Sequence, residues 1–536
     1  MDAPDHEIDW TKIQPDKRWS VFRKQYRFFL WALYSSIGCM MMGFDFGVAG
    51  TLTAFPAFQQ KMGIPFPSQP SGYLIPANVQ SAWSGVSTGG DAFGILISGI
   101  IMDRIGRKWT VLVGCVLTAA GIGVQMGADD WKEFLAGRLV NAIGFGLVFV
   151  IAPVWIGENG RPELRGLFLC FTNGSIVLGQ FILSLVAYGT DFIEGKWSYQ
   201  TVVVVQFVFV AILLAAWPFF PESPYWHLKN RRPEKARKSL ERIHGQGNPV
   251  LVEAEMQRIQ EVIRSSEELA TTAHAHGPVY FQIFKRSNLK RTIIALLPVA
   301  GQQLVGAAFV LGYITYFLSL IGIEEYFKAS VALYCVMLAS NLSAFVLIEM
   351  VGRRPLLVIG IFVLTLIELI MGIMGVVDNE AALWVALVCI FLWAVFYQVS
   401  VGAVGFAVGS EIASPPLRPA TVSAVGLTQT VLGWIIGFVT PYMINPDAGN
   451  LGVKVGFVFF GLGAPFCIAF WFLVPETKGF TFEDMDHLFA AKVPPRHFKR
   501  EWLKRRAEAE MAERTGFGNS DGEKGESVQA GRAGEF

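Results

Sequence analysis

GFGLVFVIAPVWIGENGRPELRG, residues 144–166, returns as VGAVGFAVGSEIASPPLRP, residues 401–419. In each copy an arginine follows a glutamate by seven positions, Glu158 to Arg165 and Glu411 to Arg418. Other strings repeat around this pair. DRIGRK from Asp103 comes back as EMVGRRP from Glu349, and PES at Pro221 as PET at Pro475. The offsets of 246, 253 and 254 residues are nearly constant, so one long unit occurs twice. Each charge cluster sits where an apolar stretch ends, which makes the unit a bundle of membrane helices. Two such halves facing each other are the architecture of a secondary transporter.

The bulk composition agrees. Of 536 residues, 53% are hydrophobic and 16% charged, with a mean hydropathy of +0.44; soluble domains carry about 25% charged residues. About 20 apolar residues cross the hydrocarbon of a bilayer. Twelve stretches of that kind run near 28–50, 79–101, 110–128, 132–156, 166–188, 200–220, 291–320, 328–348, 355–377, 383–410, 420–442 and 453–474. The expected fold is an all-α membrane protein, twelve transmembrane helices in two pseudo-symmetric six-helix bundles. Residues 1–27 form a polar N-terminal segment without a secretory signal peptide, so the first helix serves as signal anchor. The bundles take 28–220 and 291–474, joined by a charged linker over 221–290 with short helices. A tail over 475–536 ends in a disordered Gly/Ser/charge mixture. Arginines and lysines crowd the loops on the side of the first helix start, which predicts cytoplasmic termini.

The six cysteines fall inside spans and the seven histidines outside them, so no disulfide framework, metal set or intramembrane histidine relay is expected. No cofactor is expected either, and no nucleophile, base and metal cluster points to an enzyme. A net charge of +1 gives no reason to invoke nucleic acid. Asn173 and Asn341 match the glycosylation pattern inside spans, where it goes unused.

Some polar residues lie within the apolar spans. Asp45 is mid-helix in the first span, where an ionised acid costs roughly 2.5–3.5 kcal/mol unless it is neutral, paired or wet. Arg138 in the fourth is the basic residue nearest to hand. Gln180, Gln302 and Gln303 carry carboxamides, which both donate and accept as vicinal hydroxyls do. Tyr313, Asn173, Gln206 and Trp155 are weaker candidates. Asp91 and Glu368 are left over as further acids, the latter read as lateral packing. Asp103, Arg107, Glu158, Arg165, Glu349, Arg353, Glu411 and Arg418 stand at helix ends and are assigned to gating, with ion pairs tying one half to the other in the outward-open state.

Several strings resemble the sugar porter family of the major facilitator superfamily: GFDFG at 43–47, AGRLVNAIGFG at 136–146, PESPYW at 221–226, GQQLVG at 301–306 and PETKGFTFEDMDHLF at 475–489. WSYQTVVVVQ, GYITYF, TPYMINP and GVKVGFVFFG resemble the fungal maltose and α-glucoside permeases more closely. The resemblance implies an Asp45–Arg138 couple for protons and sugar contacts at the glutamine positions. Where hexose porters usually carry Asn, aromatic or Gly-Pro signatures, this chain has Ala308, Phe406, Gly402-Ala403 and Gly433. A C-terminal half with fewer polar contacts is therefore expected, and a glycoside or oligosaccharide before a free hexose. The resulting expectation is a proton-coupled sugar symporter in the plasma membrane, its partners a small sugar, protons and the bilayer, its oligomeric state open. The rivals are a non-transporting sugar receptor on the same scaffold and a proton-driven exporter of an apolar metabolite.

Overall fold

The structure, a computed structural model, describes residues 22–245, 249–274, 282–377, 379–414, 417–480, 482–508 and 511. Twelve helices among them are long and apolar enough to cross a membrane. They are α1 (Tyr26–Thr53), α2 (Ala77–Ile105), α3 (Arg107–Gly127), α4 (Trp131–Asn159), α5 (Phe171–Asp191) and α6 (Trp197–Phe219), followed by α7 (Asn288–Leu320), α8 (Tyr326–Val351), α9 (Arg353–Val377), α10 (Glu380–Gly409), α11 (Ala420–Ile444) and α12 (Gly452–Leu473). Between the sixes lie the helices Pro224–Lys229, Pro233–His244 and Pro249–His274.

Glycines let these helices touch. A side chain at Gly43 of α1 would collide with the Ile176 carbonyl of α5, and one at Gly179 with the Met40 carbonyl of α1. Gly146 of α4 meets the Asp91 carbonyl of α2 in the same way. Packing in hydrocarbon relies on such close approach because lipid offers no hydrophobic drive. Three membrane helices depart from α geometry along their length, α4 with a turn at Val150 and two in the C-terminal half. α7 breaks at Val305, with Gly306 left-handed at φ +81°, and α10 widens to a π turn over Gln398–Gly402.

The repeated strings prove to be one joint built twice. Gly106 and Gly352 turn at φ +91° and +99°, and each opens the next helix toward a carboxylate. Glu222 accepts from the amides of Arg107 and Lys108 at 2.8 and 3.1 Å; Glu476 accepts from those of Arg353 and Arg354 at 2.9 and 3.3 Å. An acid at a helix N-terminus satisfies orphan N–H groups and complements the dipole. Burial pushes the Glu222 carboxyl up and these backbone donors oppose the rise.

The halves are fastened at the end opposite these joints. Ser81 Oγ donates to the Phe438 carbonyl at 2.7 Å, Trp434 Nε1 to the Gly85 carbonyl at 3.0 Å, and Tyr326 Oη to the Ala54 carbonyl at 3.3 Å. Gly50 of α1 rides directly on the Gly312 carbonyl of α7.

Candidate functional site

A cavity of about 260 Å³ lies between the halves, walled by α1, α2, α4 and α5 on one side and α7, α10 and α11 on the other. On the N-terminal side Asp45 and Arg138 are each 3% exposed and face one another. Arg138 Nη1 donates to Asp45 Oδ1 at 2.5 Å, Nη2 to Oδ2 at 3.2 Å, and Nε to Ser87 Oγ at 2.9 Å. Two parallel bonds of this kind are the strong form of an ion pair. Asp91 lines the same cavity within electrostatic reach of both, and its buried Oδ1 has no hydrogen-bond partner. One guanidinium is thus hydrogen-bonded to Asp45 and stands near a second acid, Asp91.

Facing them is a wall of carboxamides. Gln302 Nε2 donates to Tyr397 Oη at 2.9 Å. The Gln303 amide lies beside Gly433, where an added side chain would meet it at 3.3 Å. Gln398 Oε1 accepts from Asn341 Nδ2 at 3.3 Å, and Gln429 and Thr430 complete this side. Gln180, half-buried Asn173 and Tyr313 also line the cavity, with Tyr313 Oη reaching the Gln80 carbonyl at 3.5 Å. On the C-terminal side Tyr397, Gln398 and Gln429 stand on the cavity wall alongside Ala308 and Gly433. Glutamines inside apolar spans were the available signal, the same one that singles out Gln302.

Two candidates sit elsewhere. Gln206 Oε1 accepts from Asn141 Nδ2 at 3.0 Å between helices of the N-terminal half. Trp155 stacks on Phe28 with ring centroids 5.6 Å apart, away from the cavity. Both pack between helices, and neither lines the cavity. Glu368 is buried against α12 beside Gly463, also off the cavity wall.

The charged helix ends pair within each half. Arg107 Nη2 bonds Glu158, with Nε at 3.1 Å from the other carboxylate oxygen; Arg353 Nη2 meets Glu411 at 3.2 Å. Ser223 and Thr477 each donate to the second oxygen of these glutamates at 2.5 Å. Asp103 lies 3.9 Å from Arg107 and 3.0 Å from Lys229, and Glu349 lies 3.9 Å from Arg353. The opposite end is the fastened one here, and each glutamate pairs with an arginine of its own half; ties across the halves are the expectation for the outward-open state. Arg418 is exposed, and the Arg165 side chain lies outside the described residues.

Twelve helices in two facing bundles, around a cavity where a few polar groups stand among apolar side chains, define a major facilitator transporter. The family model described as "Sugar (and other) transporter" matches residues 31–489, and the chain belongs to that family. It is 28% identical to the MFS transporter fmqE of Aspergillus fumigatus, over 93% of this chain and 92% of that one. It is also 28% identical to the general alpha-glucoside permease of Saccharomyces cerevisiae, over 88% of this chain and 76% of the permease. The fold matches the inward-open xylose transporter XylE of Escherichia coli with a TM-score of 0.69 at 20% identity, covering 86% of this chain and 99% of that one.

Proposed function

We propose that this protein is a proton-coupled symporter that takes up a sugar by alternating access, with α-glucosides and small oligosaccharides favoured. One observation carries the reading: the buried Asp45–Arg138 pair and the carboxamide wall open onto one cavity. A proton on Asp45 weakens its hold on Arg138, and a sugar bridging Gln180 on one side to Gln302 and Gln303 on the other draws the halves together. Coupling follows because both events act on the same space. Likeness to the alpha-glucoside permease supports the substrate class. We take 28–220 and 291–474 as the moving bodies and 221–290 as the linker. On the charge distribution of the loops we take both termini to be cytoplasmic, and we take the protein to act in the plasma membrane.

The test is uptake into proteoliposomes with an inwardly directed proton gradient. Wild type accumulates labelled maltose or a related glucoside above equilibrium and alkalinises the outside medium. Asp45→Asn abolishes gradient-driven accumulation while sugar exchange at equal concentrations persists. Undiminished accumulation by Asp45→Asn sinks the coupling role, and proton-driven extrusion would favour the exporter instead.

A further inference from the structure

The helical ladder of α7 stops at Val305, where Gly306 turns left-handed. A break leaves carbonyls without the N–H groups that would have met them, and inside a membrane each needs another donor. Val305 finds one in the indole of Trp393 on α10, with Nε1 3.1 Å from the carbonyl oxygen and the residue 2% exposed. Trp393 does not line the cavity. Its ring lies flat against Tyr397, one turn further along α10, with centroids 4.6 Å apart and planes 10° from parallel. Tyr397 does line the cavity, and its hydroxyl accepts from Gln302. Gln302 in turn is three residues before Val305, so the contacts close a loop: backbone break, indole, phenol, carboxamide. The π turn of α10 begins at the next residue, Gln398. Both irregular stretches therefore abut this loop, where regular hydrogen bonding alone would not hold them.

We infer that Trp393 is a positioning residue for the solute site. It fixes the orientation of Gln302 and the angle of the α7 break through Tyr397 and Val305, without touching the solute. A carboxamide that both donates and accepts recognises a hydroxyl pair only in one orientation, so what Trp393 governs is affinity more than turnover. This rests on the cavity being the sugar site.

Trp393→Phe keeps the stacked ring and deletes the N–H; Trp393→Leu deletes both. The probe is whichever of maltose, sucrose, trehalose and glucose wild type takes up fastest in proteoliposomes. Trp393→Phe raises KM about tenfold with Vmax within about twofold. Combining it with Tyr397→Phe raises KM by less than the product of the single effects, because both cut one loop. A second readout uses no sugar: Ala308→Cys, just past the break, in a background lacking the native cysteines. Its alkylation by N-ethylmaleimide quickens several-fold with Trp393→Phe and further with Trp393→Leu. Unchanged KM and unchanged labelling overturn the inference, as does a fall in Vmax alone with labelling unchanged. Should wild type carry none of the four sugars, the sugar reading fails, and the labelling rate decides the role of Trp393 by itself.

Discussion

A charge stranded in an apolar run is the easiest residue to find and the hardest to interpret. Asp45 and Arg138 announce themselves by depth, and the structure brings them into a bidentate pair. Removing one member leaves the other buried and uncompensated, at a cost of about 3–5 kcal/mol, whereas removing both is often close to neutral. Asp45→Asn should therefore lower the thermal midpoint in detergent more than Asp45→Asn with Arg138→Gln. A double variant less stable than the single would show that the pair is not the source of the loss. His244 makes the opposite case, legible only in three dimensions. Its helix packs against α1, the imidazole ring 6.3 Å from Phe28, and burial beside Arg161 and Arg258 pushes it from 6.5 down to about 3. The released state then binds the extra proton between about pH 6.5 and 3, so docking of the Pro233–His244 helix is strongest above pH 6.5 and weakens as pH falls. Hydrogen exchange of that helix, corrected for intrinsic rate, should be faster at pH 5 than at pH 7.5. His244→Leu should flatten the difference.

At the scale of elements, twelve helices were legible because length and apolarity alone decide a membrane span. Their faces were not. A helix apolar all round carries no stripe to say which side meets the core, and so sequence alone does not separate Trp155 and Gln206, which lie off the cavity, from Tyr397 and Gln398, which line it. Repetition told more than periodicity. The strings at Asp103 and Glu349 mark the two joints, although the carboxylates that cap them, Glu222 and Glu476, stand 115 and 123 residues beyond Arg107 and Arg353. The joint needs glycine twice over: Gly352 is left-handed, and a side chain there would stand 2.7 Å from Glu476 Oε2. Gly352→Ala should cost about 1 kcal/mol or more in stability, and Gly106→Ala should behave alike at the symmetric site. Equal melting of wild type and both variants would show that the joint bends freely.

For the whole molecule, alternation requires that what fastens one end be undone before the other can close. The fastening includes a polar clasp built around buried Asn445 of TPYMINP, a string whose work its sequence did not disclose, and exposed Asp447 just past it. Asn445 Nδ2 donates to the Ile75 carbonyl at 2.9 Å and to Asp447 Oδ1 at 2.6 Å, and its Oδ1 accepts from Gln80 at 3.0 Å and from Tyr316 at 2.5 Å. Asp447 Oδ2 accepts from the Ala77 amide at 3.0 Å, capping α2 from the other half. Each such bond is worth about 0.5–1.5 kcal/mol net, and the clasp spends that strength only while this end is shut. The Glu158 and Glu411 clusters, each paired within its own half here, are the groups we propose to oppose it when the halves rock. Asn445→Ala with Asp447→Ala should therefore shift the population toward the state open at the clasp end, on the order of tenfold or more. In right-side-out vesicles, a cysteine at Ser84 on the cavity wall should then react several-fold faster with a membrane-impermeant maleimide. Reversing charge at Glu411 in the same background should return the rate toward wild type, because it removes the counterweight. Labelling indifferent to the clasp would mean that the halves are held by their apolar contacts, Gly50 on Gly312 foremost, and that the polar network is a consequence of closure.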